Sequence, residues 1–306
     1  MSAPGESVWL HRFAVLTACG TFLLIIAGGL VVGNEAGLAV PDWPLSYGML
    51  MPPMEGGVFY EHGHRMIATS VGFLMTVLAI WLWRREPRRW VRRLGIVALG
   101  AVITQGILGG LTVIYLLPTP ISVSHACLAQ LFFCMTLSLA LFTSRGWNSP
   151  MEPAEDREAP QFRHLAVAAT VAIFIQLALG AALRHNGLGI APHLIGAGIV
   201  AVLILWVAHR AFWKLSGQGT LVRLALAAGA LMLLQLTLGV GSYWIRLVTQ
   251  DAVQPQLSTV WITTAHVAVG ALLLGVSLLL TLQSYRRLTL SGSTLPVPKT
   301  LEETLA

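Results

Sequence analysis

Long apolar runs alternate with short polar segments along the 306-residue chain. A helix needs about 20 apolar residues to cross the hydrocarbon core of a membrane. Eight runs reach or approach that length, and a helix of that length satisfies its own backbone hydrogen bonds in lipid. The pattern therefore predicts an all-α membrane protein with eight transmembrane helices. The runs cover residues 14–33, 66–83, 94–116, 121–143, 164–183, 191–211, 222–243 and 260–282.

The composition agrees with this pattern. Hydrophobic residues make up 56% of the chain and charged residues only 10%, with a mean hydropathy of +0.74, whereas soluble domains carry about 25% charged residues. The net charge of +6 would be compatible with nucleic-acid binding, but the basic residues are confined to particular loops. That distribution is typical of membrane topology, so we expect membrane lipids and no nucleic acid as partners.

The distribution of Lys and Arg predicts the orientation in the membrane. Six arginines lie between the second and third apolar runs, at positions 84–93. If the runs alternate in direction, all but three of the 19 basic residues lie on the same side as this cluster, Lys299 near the C-terminus among them. The exceptions are Arg65, Arg184 and Arg246. By the positive-inside rule both termini are cytoplasmic, and the loops after the first, third, fifth and seventh runs face outward.

The three cysteines carry no metal-binding signal. Cys19, Cys127 and Cys134 all fall inside apolar runs without metal spacing, and we interpret them as core thiols. Residues 16–19 (LTAC) resemble a lipoprotein cleavage box. The apolar stretch between Arg12 and this box is too short for a signal peptide, so we expect the first helix to be retained.

The two halves of the chain share short motifs at similar spacing. QGILG at 105–109 corresponds to QLTLG at 235–239, and His64 and His193 are 129 residues apart. Four spans are an even number, so two such units have the same orientation. We therefore predict an internal repeat of two tandem four-helix bundles, joined by a proline-rich linker. The bundles cover residues 1–149 and 150–306.

The nine histidines fall into two groups. Five are interpreted as polar residues of the membrane interface: His11, His62, His164, His185 and His209. The other four lie near the outer ends of the even-numbered runs: His64, His125, His193 and His266. Two helices that run in the same direction have their first turns at the same depth. Each bundle can therefore offer two imidazoles at one level.

Two inward-facing imidazoles at one level can ligate a heme iron from opposite faces. Each histidine alone could be a satisfied interfacial residue, but the repetition argues against this for all four. Zinc generally takes three or four ligands, and no acidic or thiol partner repeats with each pair. A proton relay stays open, although it does not explain the duplication. Small neighbours leave room for a flat macrocycle or pack helices closely: Gly63, Ala126, Gly196, Ala265 and Gly270.

Charged residues lie close to these histidines. Arg65 adjoins His64, and Arg184 lies at the outer edge of the second bundle. Each could pair with a heme propionate or extend its side chain to the interface. Glu61 lies three residues before His64 and would share a helix face with it. Its carboxylate could accept protons near an iron, or it could cap the helix N-terminus.

Several motifs resemble the heme A synthase family. The resemblance extends over nearly the whole chain, and the combination of E-x-x-H-R with VSHACLAQ is specific. The chain departs from the family pattern in loop 1, the segment of about residues 34–61. Many bacterial members have a cysteine pair where this chain has Val40 and Ser46, and residues 31–37 read VVGNEAG in place of an RLTGSG-like segment. The matching motifs are PDWPL at 41–45, EHGHR at 61–65, QGILGGLTV at 105–113, VSHACLAQ at 123–130 and TAHVAVGALLL at 264–274.

The resemblance implies an oxidoreductase that acts on a CH3 group and converts heme O to heme A. Two successive hydroxylations of the methyl group give a geminal diol, which loses water to leave the formyl group. Glu61 matches the family's loop carboxylate, which takes part in the chemistry, and is the implied catalytic residue.

The resemblance also implies which residues hold each heme. The first half would hold the substrate heme O between His64 and His125. The second half would hold a heme b between His193 and His266, for electron transfer. Further residues are expected at the propionates or in the heme pockets: Arg65, Arg184, Gln105 and Gln235.

The implied setting is the bacterial inner membrane, with the heme sites near the outer face. Heme O synthase, cytochrome oxidase assembly factors and an electron donor are the implied partners, and a homo-oligomer is compatible with the family. Two other functional classes stay open. A di-heme b-type cytochrome would need the four histidines but no carboxylate beside the first pair, and a heme-binding chaperone or transporter would leave its heme unaltered.

Overall fold

The computed structural model describes residues 8–290, which form eight long helices, one short helix and two short strands. Lys299 and the outermost ends of the two predicted bundles lie outside the described residues. The elements are α1 Val8–Gly33, α2 Gly56–Arg85, α3 Arg89–Ile114, α4 Thr119–Phe142, α5 Arg145–Asn148, β1 Ala154–Asp156, α6 Phe162–Arg184, α7 Ile190–Lys214, α8 Gly219–Val248, α9 Leu257–Arg287 and β2 Leu288–Leu290.

All eight long helices are long and apolar enough to cross a membrane. The prediction of an all-α integral membrane protein with eight transmembrane helices is confirmed. Several helices extend beyond the apolar runs, because charged side chains at a helix end lower the hydropathy without breaking the helix. The largest difference is at α2, which begins at Gly56 and not at residue 66. The EHGHR motif therefore lies within α2.

The long helices pack as two groups of four. In the first group α1 and α3 each contact both α2 and α4, and α6–α9 show the same pattern of neighbours. Between the groups, α1 packs on α9, and α4 packs on α6 and α9. This arrangement agrees with two four-helix bundles. The internal repeat and the boundary after residue 149 stay predictions.

Each group of helices encloses its own apolar core. Met75 and Leu78 of α2 are fully buried in the first core. Ile204 of α7 and Leu274 of α9 are buried in the second. A smaller cluster lies between the groups and consists of Ile25, Phe133 and Ala271.

Two glycines bring α1 close to α9. A Cβ on Gly29 would lie 3.1 Å from Cγ2 of Thr264, and a Cβ on Gly33 would lie 3.1 Å from Cγ1 of Val260. Small residues four positions apart permit close helix contact in membranes, where packing takes the place of a hydrophobic driving force. Because α1 lines the first histidine site and α9 carries a histidine of the second, this contact sets the spacing between the two sites.

The linker between the groups is fixed to the second group by a buried ion pair. The Asp156 carboxylate accepts hydrogen bonds from the backbone N–H of Phe162 at 2.5 Å and from Nη2 of Arg210 at 3.2 Å. Arg210 also donates to the carbonyl oxygen of Pro160 at 2.9 Å. Strand β1 in the linker pairs in parallel with β2, which directly follows α9.

Candidate functional site

The four predicted ligand histidines all lie within the first three turns of their helices. His64 is the ninth residue of α2, His125 the seventh of α4, His193 the fourth of α7 and His266 the tenth of α9. Ten residues of α-helix make about three turns. The first two histidines lie on one group of helices and the last two on the other. None of them is the first residue of its helix.

Each of these imidazoles packs against a glycine of the preceding long helix. The ring Cε1 atom lies within 3.0–3.3 Å of the point that a glycine Cβ would occupy. An alanine at any of these positions would therefore press on the ring. The pairs are His64 with Gly28, His125 with Gly109, His193 with Gly180, and His266 with Gly239.

The second pair of imidazoles is separated by a distance at which both rings could bind the same metal ion. The ring centroids of His193 and His266 are 6.4 Å apart, with an interplanar angle of 70°. A metal bonded at about 2 Å to one nitrogen of each ring separates the two centroids by about 6 Å. Two neutral imidazoles are a donor set that heme iron accepts. The residues of this pair therefore fit a bis-histidine heme.

Buried ring nitrogens without partners support the same interpretation for the first pair. Nδ1 of His64 and Nδ1 of His125 are both buried and have no hydrogen-bond partner, and the same is true of Nδ1 of His266. Burying a polar group without a partner is costly, so such atoms indicate a function. Within residues 8–290 no group of three or more His, Cys, Asp or Glu side chains could hold a metal ion. A zinc site of usual composition has no ligand set there.

Three of the histidines are contacted by a glutamine that lies one helical turn before the glycine behind the ring. Nε2 of Gln105 donates to the backbone oxygen of His125 at 2.9 Å, and Nε2 of Gln235 lies 3.3 Å from Nε2 of His266. Both glutamines were predicted as pocket residues. Sequence reasoning missed Gln176, whose Nε2 donates to the backbone oxygen of His193 at 2.8 Å and lies 3.0 Å from its Nδ1.

Glu61 is a buried residue in the interior of α2. It is the sixth residue of the helix, and the N-cap is Glu55, so the interpretation of Glu61 as a helix cap is wrong. Its Oε1 lies 2.6 Å from Nη2 of Arg65, one turn later on the helix. Its Oε2 accepts a hydrogen bond of 2.8 Å from the backbone N–H of Val40 in loop 1.

Arg65 connects α2 to loop 1. Its Nη1 donates to the backbone oxygens of Asp42 and Leu45, both at 2.8 Å, and to Oγ of Ser46 at 3.3 Å. Together with the Glu61 ion pair, these contacts occupy most of the guanidinium donors. Arg65 therefore holds loop 1 and Glu61 together, and its expected contact with a propionate stays a prediction.

Loop 1 is held without a cysteine pair. Val40 is fully buried, and Oγ of Ser46 lies 2.8 Å from Nδ1 of His62. His62 is buried and does not lie at the interface as predicted, because it is packed beneath this loop. The ring of Trp43 lies against Gly110 of α3, where a Cβ would come within 2.6 Å of Cδ2. The loop thus closes over the end of the first helix group at which α2 begins.

Asp42 fixes the tight turn within this loop. Its carboxylate accepts hydrogen bonds from the backbone N–H of Gly48 at 2.8 Å and of Tyr47 at 2.6 Å. These two hydrogen bonds hold the pKa of Asp42 below its ordinary value of 3.8, and the bond from Gly48 has the larger effect. The hydroxyl of Tyr47 also donates to the backbone oxygen of Ala39 at 2.6 Å.

Arg184 lies where the two helix groups meet. Its Nη2 donates to the backbone oxygen of Val32 at 2.7 Å. Nearby, Oγ1 of Thr119 donates to the backbone oxygen of His185 at 2.8 Å. These contacts join the end of α6 to α1 and α4. A contact of Arg184 with a propionate stays a prediction.

Comparison with known proteins points to one family. The family described as cytochrome oxidase assembly protein matches residues 54–194. That region contains Glu61 and three of the four candidate histidines, and it ends before His266.

Curated relatives named heme A synthase are similar to parts of the chain. The relative from Shouchella clausii is 27% identical over 182 residues, which are 58% of this chain and 60% of the relative. The relative from Halalkalibacterium halodurans is 32% identical over 138 residues, 43% and 44% of the two chains. The relative from Brucella anthropi is 28% identical over 144 residues, which are 43% of this chain and 39% of the relative. The chain thus spans about half the length of these relatives. Together with the motifs, these matches confirm that the chain resembles the heme A synthase family.

Proposed function

We propose that this protein is a heme A synthase, which oxidises a methyl group of heme O to the formyl group of heme A for cytochrome oxidase. Each of two hydroxylations replaces a C–H bond of the methyl carbon with a C–O bond; the oxidant of this two-electron step would be O2, whose second oxygen atom leaves as water with two electrons from the electron donor and two protons. The resulting geminal diol loses water to leave the formyl group. The names of the curated relatives and the matching family support this proposal.

The observation that carries the proposal is the position of Glu61. It is the one acidic residue within the eight membrane-spanning helices of the described chain, and it lies on α2 beside His64. An intramembrane ionisable residue usually has a function. Helices α6–α9, which hold the second pair of histidines, contain no Asp or Glu. The asymmetry supports chemistry at the first pair and electron transfer at the second.

We assign proton transfer to Glu61. Each carboxylate oxygen has two acceptor sites, and Arg65 and the Val40 N–H each occupy one of them. An acceptor site therefore remains on each oxygen for a proton released during methyl oxidation. Arg65 and loop 1 hold the carboxylate in one orientation, which is what a general base requires.

His64 and His125 would hold the substrate heme O, and His193 and His266 would hold a heme b. A heme b bound at the second pair supplies reversible one-electron transfer. The close contact of α1 with α9 through Gly29 keeps the two sites adjacent. Gln105 and Gln235 belong to these pockets, and Arg65 and Arg184 lie at their outer ends.

The orientation and partners form part of the same proposal. The distribution of basic residues supports cytoplasmic termini and heme sites near the outer face of a bacterial inner membrane. Heme O synthase would supply the substrate, cytochrome oxidase assembly factors would receive the product, and an electron donor would complete the cycle.

The alternative is a di-heme cytochrome that transfers electrons without altering either heme. It would use the same four histidines, but it gives no role to a buried carboxylate beside only one pair. A heme chaperone would also leave its heme unchanged. Both alternatives therefore differ from a synthase in the pigment that they yield.

Co-expression with heme O synthase, followed by extraction of the membrane pigments, tests the proposal. We expect heme A, or its alcohol intermediate, in cells that express this chain. Cells with the His64→Ala variant should contain only heme O. Heme O that remains unchanged in cells with a correctly inserted wild-type protein would contradict the synthase and favour one of the alternatives.

A further inference from the structure

Each of the four candidate histidines packs against a glycine of the preceding long helix; we call this contact the glycine notch. The four sites differ in the residue that lies one helical turn before this glycine. Gln105, Gln176 and Gln235 each lie four residues before the glycine that contacts a histidine. Residues four apart lie on the same helix face. At the first site the corresponding residue, four before Gly28, is Leu24.

The three glutamines are set into the packing between helices. Nε2 of Gln105 and of Gln176 donates to the backbone oxygen of the neighbouring histidine at 2.9 and 2.8 Å. The side chain of Gln176 lies against Gly196 on α7, and that of Gln235 lies against Gly270 on α9, where a Cβ would come within 3.2 Å of Nε2. A side chain at either glycine would displace the amide.

Each glutamine also leaves one buried atom without a partner. Oε1 of Gln105, Gln176 and Gln235 is buried and accepts no hydrogen bond. Nδ1 of His125 and Nδ1 of His266 are likewise buried and unpartnered. In a membrane interior such atoms are costly unless they find a partner. Unpartnered glutamine oxygens and unpartnered ring nitrogens therefore occur on neighbouring helices at the sites of His125 and His266.

Metal binding makes these atoms complementary. When Nε2 of a neutral imidazole binds a metal, Nδ1 carries the proton and becomes a donor. Metal-bound histidines almost always donate this second N–H to an acceptor, which fixes the ring and raises its basicity. A glutamine Oε1 is such an acceptor once the amide turns so that the oxygen, and not Nε2, faces Nδ1. For Gln176 the amide nitrogen Nε2 lies 3.0 Å from Nδ1 of His193, so a half-turn of the amide would place Oε1 near that ring nitrogen.

His64 has no such partner on α1. Its Nδ1 is buried and unpartnered, and Leu24 packs into the apolar core of the first helix group. A leucine offers no acceptor. From α1, the ring of His64 contacts Gly28.

We propose that three glutamines are positioning residues that orient the neighbouring histidine: Gln105 for His125, Gln176 for His193 and Gln235 for His266. Leu24 gives His64 no such partner, so His64 is the ligand from which the heme is released. This inference rests on the proposed function and adds to it. A synthase must release the heme of its first site as product and must keep the heme of its second site. The first site has Leu24 where the other three histidines have a glutamine, and this difference lets the first site release its heme while the second retains it.

The test measures heme release from the purified, heme-loaded protein to apomyoglobin, with heme O and heme b told apart by their spectra. We expect Leu24→Gln to slow release of heme O about 10–100-fold, the usual effect of a hydrogen-bond partner behind a metal ligand. Leu24→Met is the matched control, because methionine fills similar space without a strong acceptor. Its release rate should equal that of the wild type.

The second site provides a readout that packing alone would not change. Gln176→Leu should speed release of heme b by a similar factor and raise its reduction potential, because a less basic imidazole stabilises the oxidised iron less. Gln176→Glu keeps an acceptor oxygen, so it should restore retention and lower the potential.

Three outcomes decide the matter. Wild-type release rates in Leu24→Gln would overturn the inference about His64. An unchanged potential in both Gln176 variants would overturn the positioning role of the glutamines. A wild-type protein that binds no heme at either pair would instead overturn the proposed function, and this inference with it.

Discussion

Oε1 of Glu61 lies 2.6 Å from Nη2 of Arg65, and both residues lie on the same face of α2, one turn apart. The same arginine reaches three acceptors in loop 1, and the same carboxylate accepts from the backbone of Val40. The ion pair is therefore the point where loop 1 is joined to the helix that carries His64. The EHGHR motif combines a proposed acid–base residue, a proposed iron ligand and the anchor of the loop above them.

Glu61→Gln should separate catalysis from heme binding. Glutamine keeps one oxygen for the Val40 N–H but loses the basic carboxylate and the ion pair with Arg65. We expect heme A yield to fall by about 10²–10⁴-fold, the usual contribution of a general acid–base residue, while bound heme is retained. Glu55→Gln, an exposed residue at the N-cap of the same helix, is the matched control. Heme A production at the wild-type rate in Glu61→Gln would remove the carboxylate from the mechanism.

Arg65→Lys should loosen loop 1 while keeping the charge. A lysine ammonium has three donors on a flexible stem and cannot reproduce the planar contacts to Asp42, Leu45 and Glu61. Hydrogen bonds from charged groups are worth about 1.5–3 kcal/mol each, so the loop should become sensitive to added protease. Arg84→Lys, at the exposed far end of α2, serves as control. Equal cleavage of the loop in both variants would contradict the anchoring role.

Gly110→Ala should displace Trp43 from α3. The added Cβ would come within 2.6–2.9 Å of three atoms of the indole ring, and overpacking of this kind typically costs about 1–3 kcal/mol. We expect faster hydrogen exchange in loop 1 and reduced heme A yield. Gly106→Ala makes the same change one turn earlier on α3, where nothing lies within 4 Å of the new Cβ. Identical hydrogen exchange and heme A yield in the two variants would show that the contact of Trp43 with Gly110 does not hold loop 1 in place.

The Asp42 turn should respond to acid. Because the pKa of Asp42 in the folded loop is lowered below 3.8, its contribution to loop stability is complete above pH 3.8 and is lost as the pH falls through the lowered value. Hydrogen exchange of the Tyr47 and Gly48 amides, corrected for intrinsic rates, measures this directly. Asp42→Ala should show fast exchange at every pH. Protected amides in that variant at pH 7 would contradict the role of the carboxylate.

The sequence was sufficient for the features that depend on local pattern. Eight apolar runs and their lengths predicted the spanning helices, and the His and Gln residues recurred at similar spacing. The start of α2 could not be predicted from hydropathy, since the helix continues through Glu61 and Arg65. The fixation of loop 1 could not be predicted either, because Val40 and Glu61 are 21 residues apart and meet only in the folded chain. Gln176 was predictable in principle from its spacing to Gly180.

The glycine notch behind His193 provides a final prediction, on the second pair. A Cβ on Gly180 would lie 3.0 Å from Cε1 of His193, so Gly180→Val should push the ring out of line with His266. We expect a loss of the low-spin b-type spectrum, as in His193→Ala, which removes the ligand outright. Gly198→Val on α7 meets nothing within 4 Å at its new Cβ and should keep the spectrum. A full low-spin spectrum in both Gly180→Val and His193→Ala would exclude His193 as an iron ligand and place the heme b elsewhere.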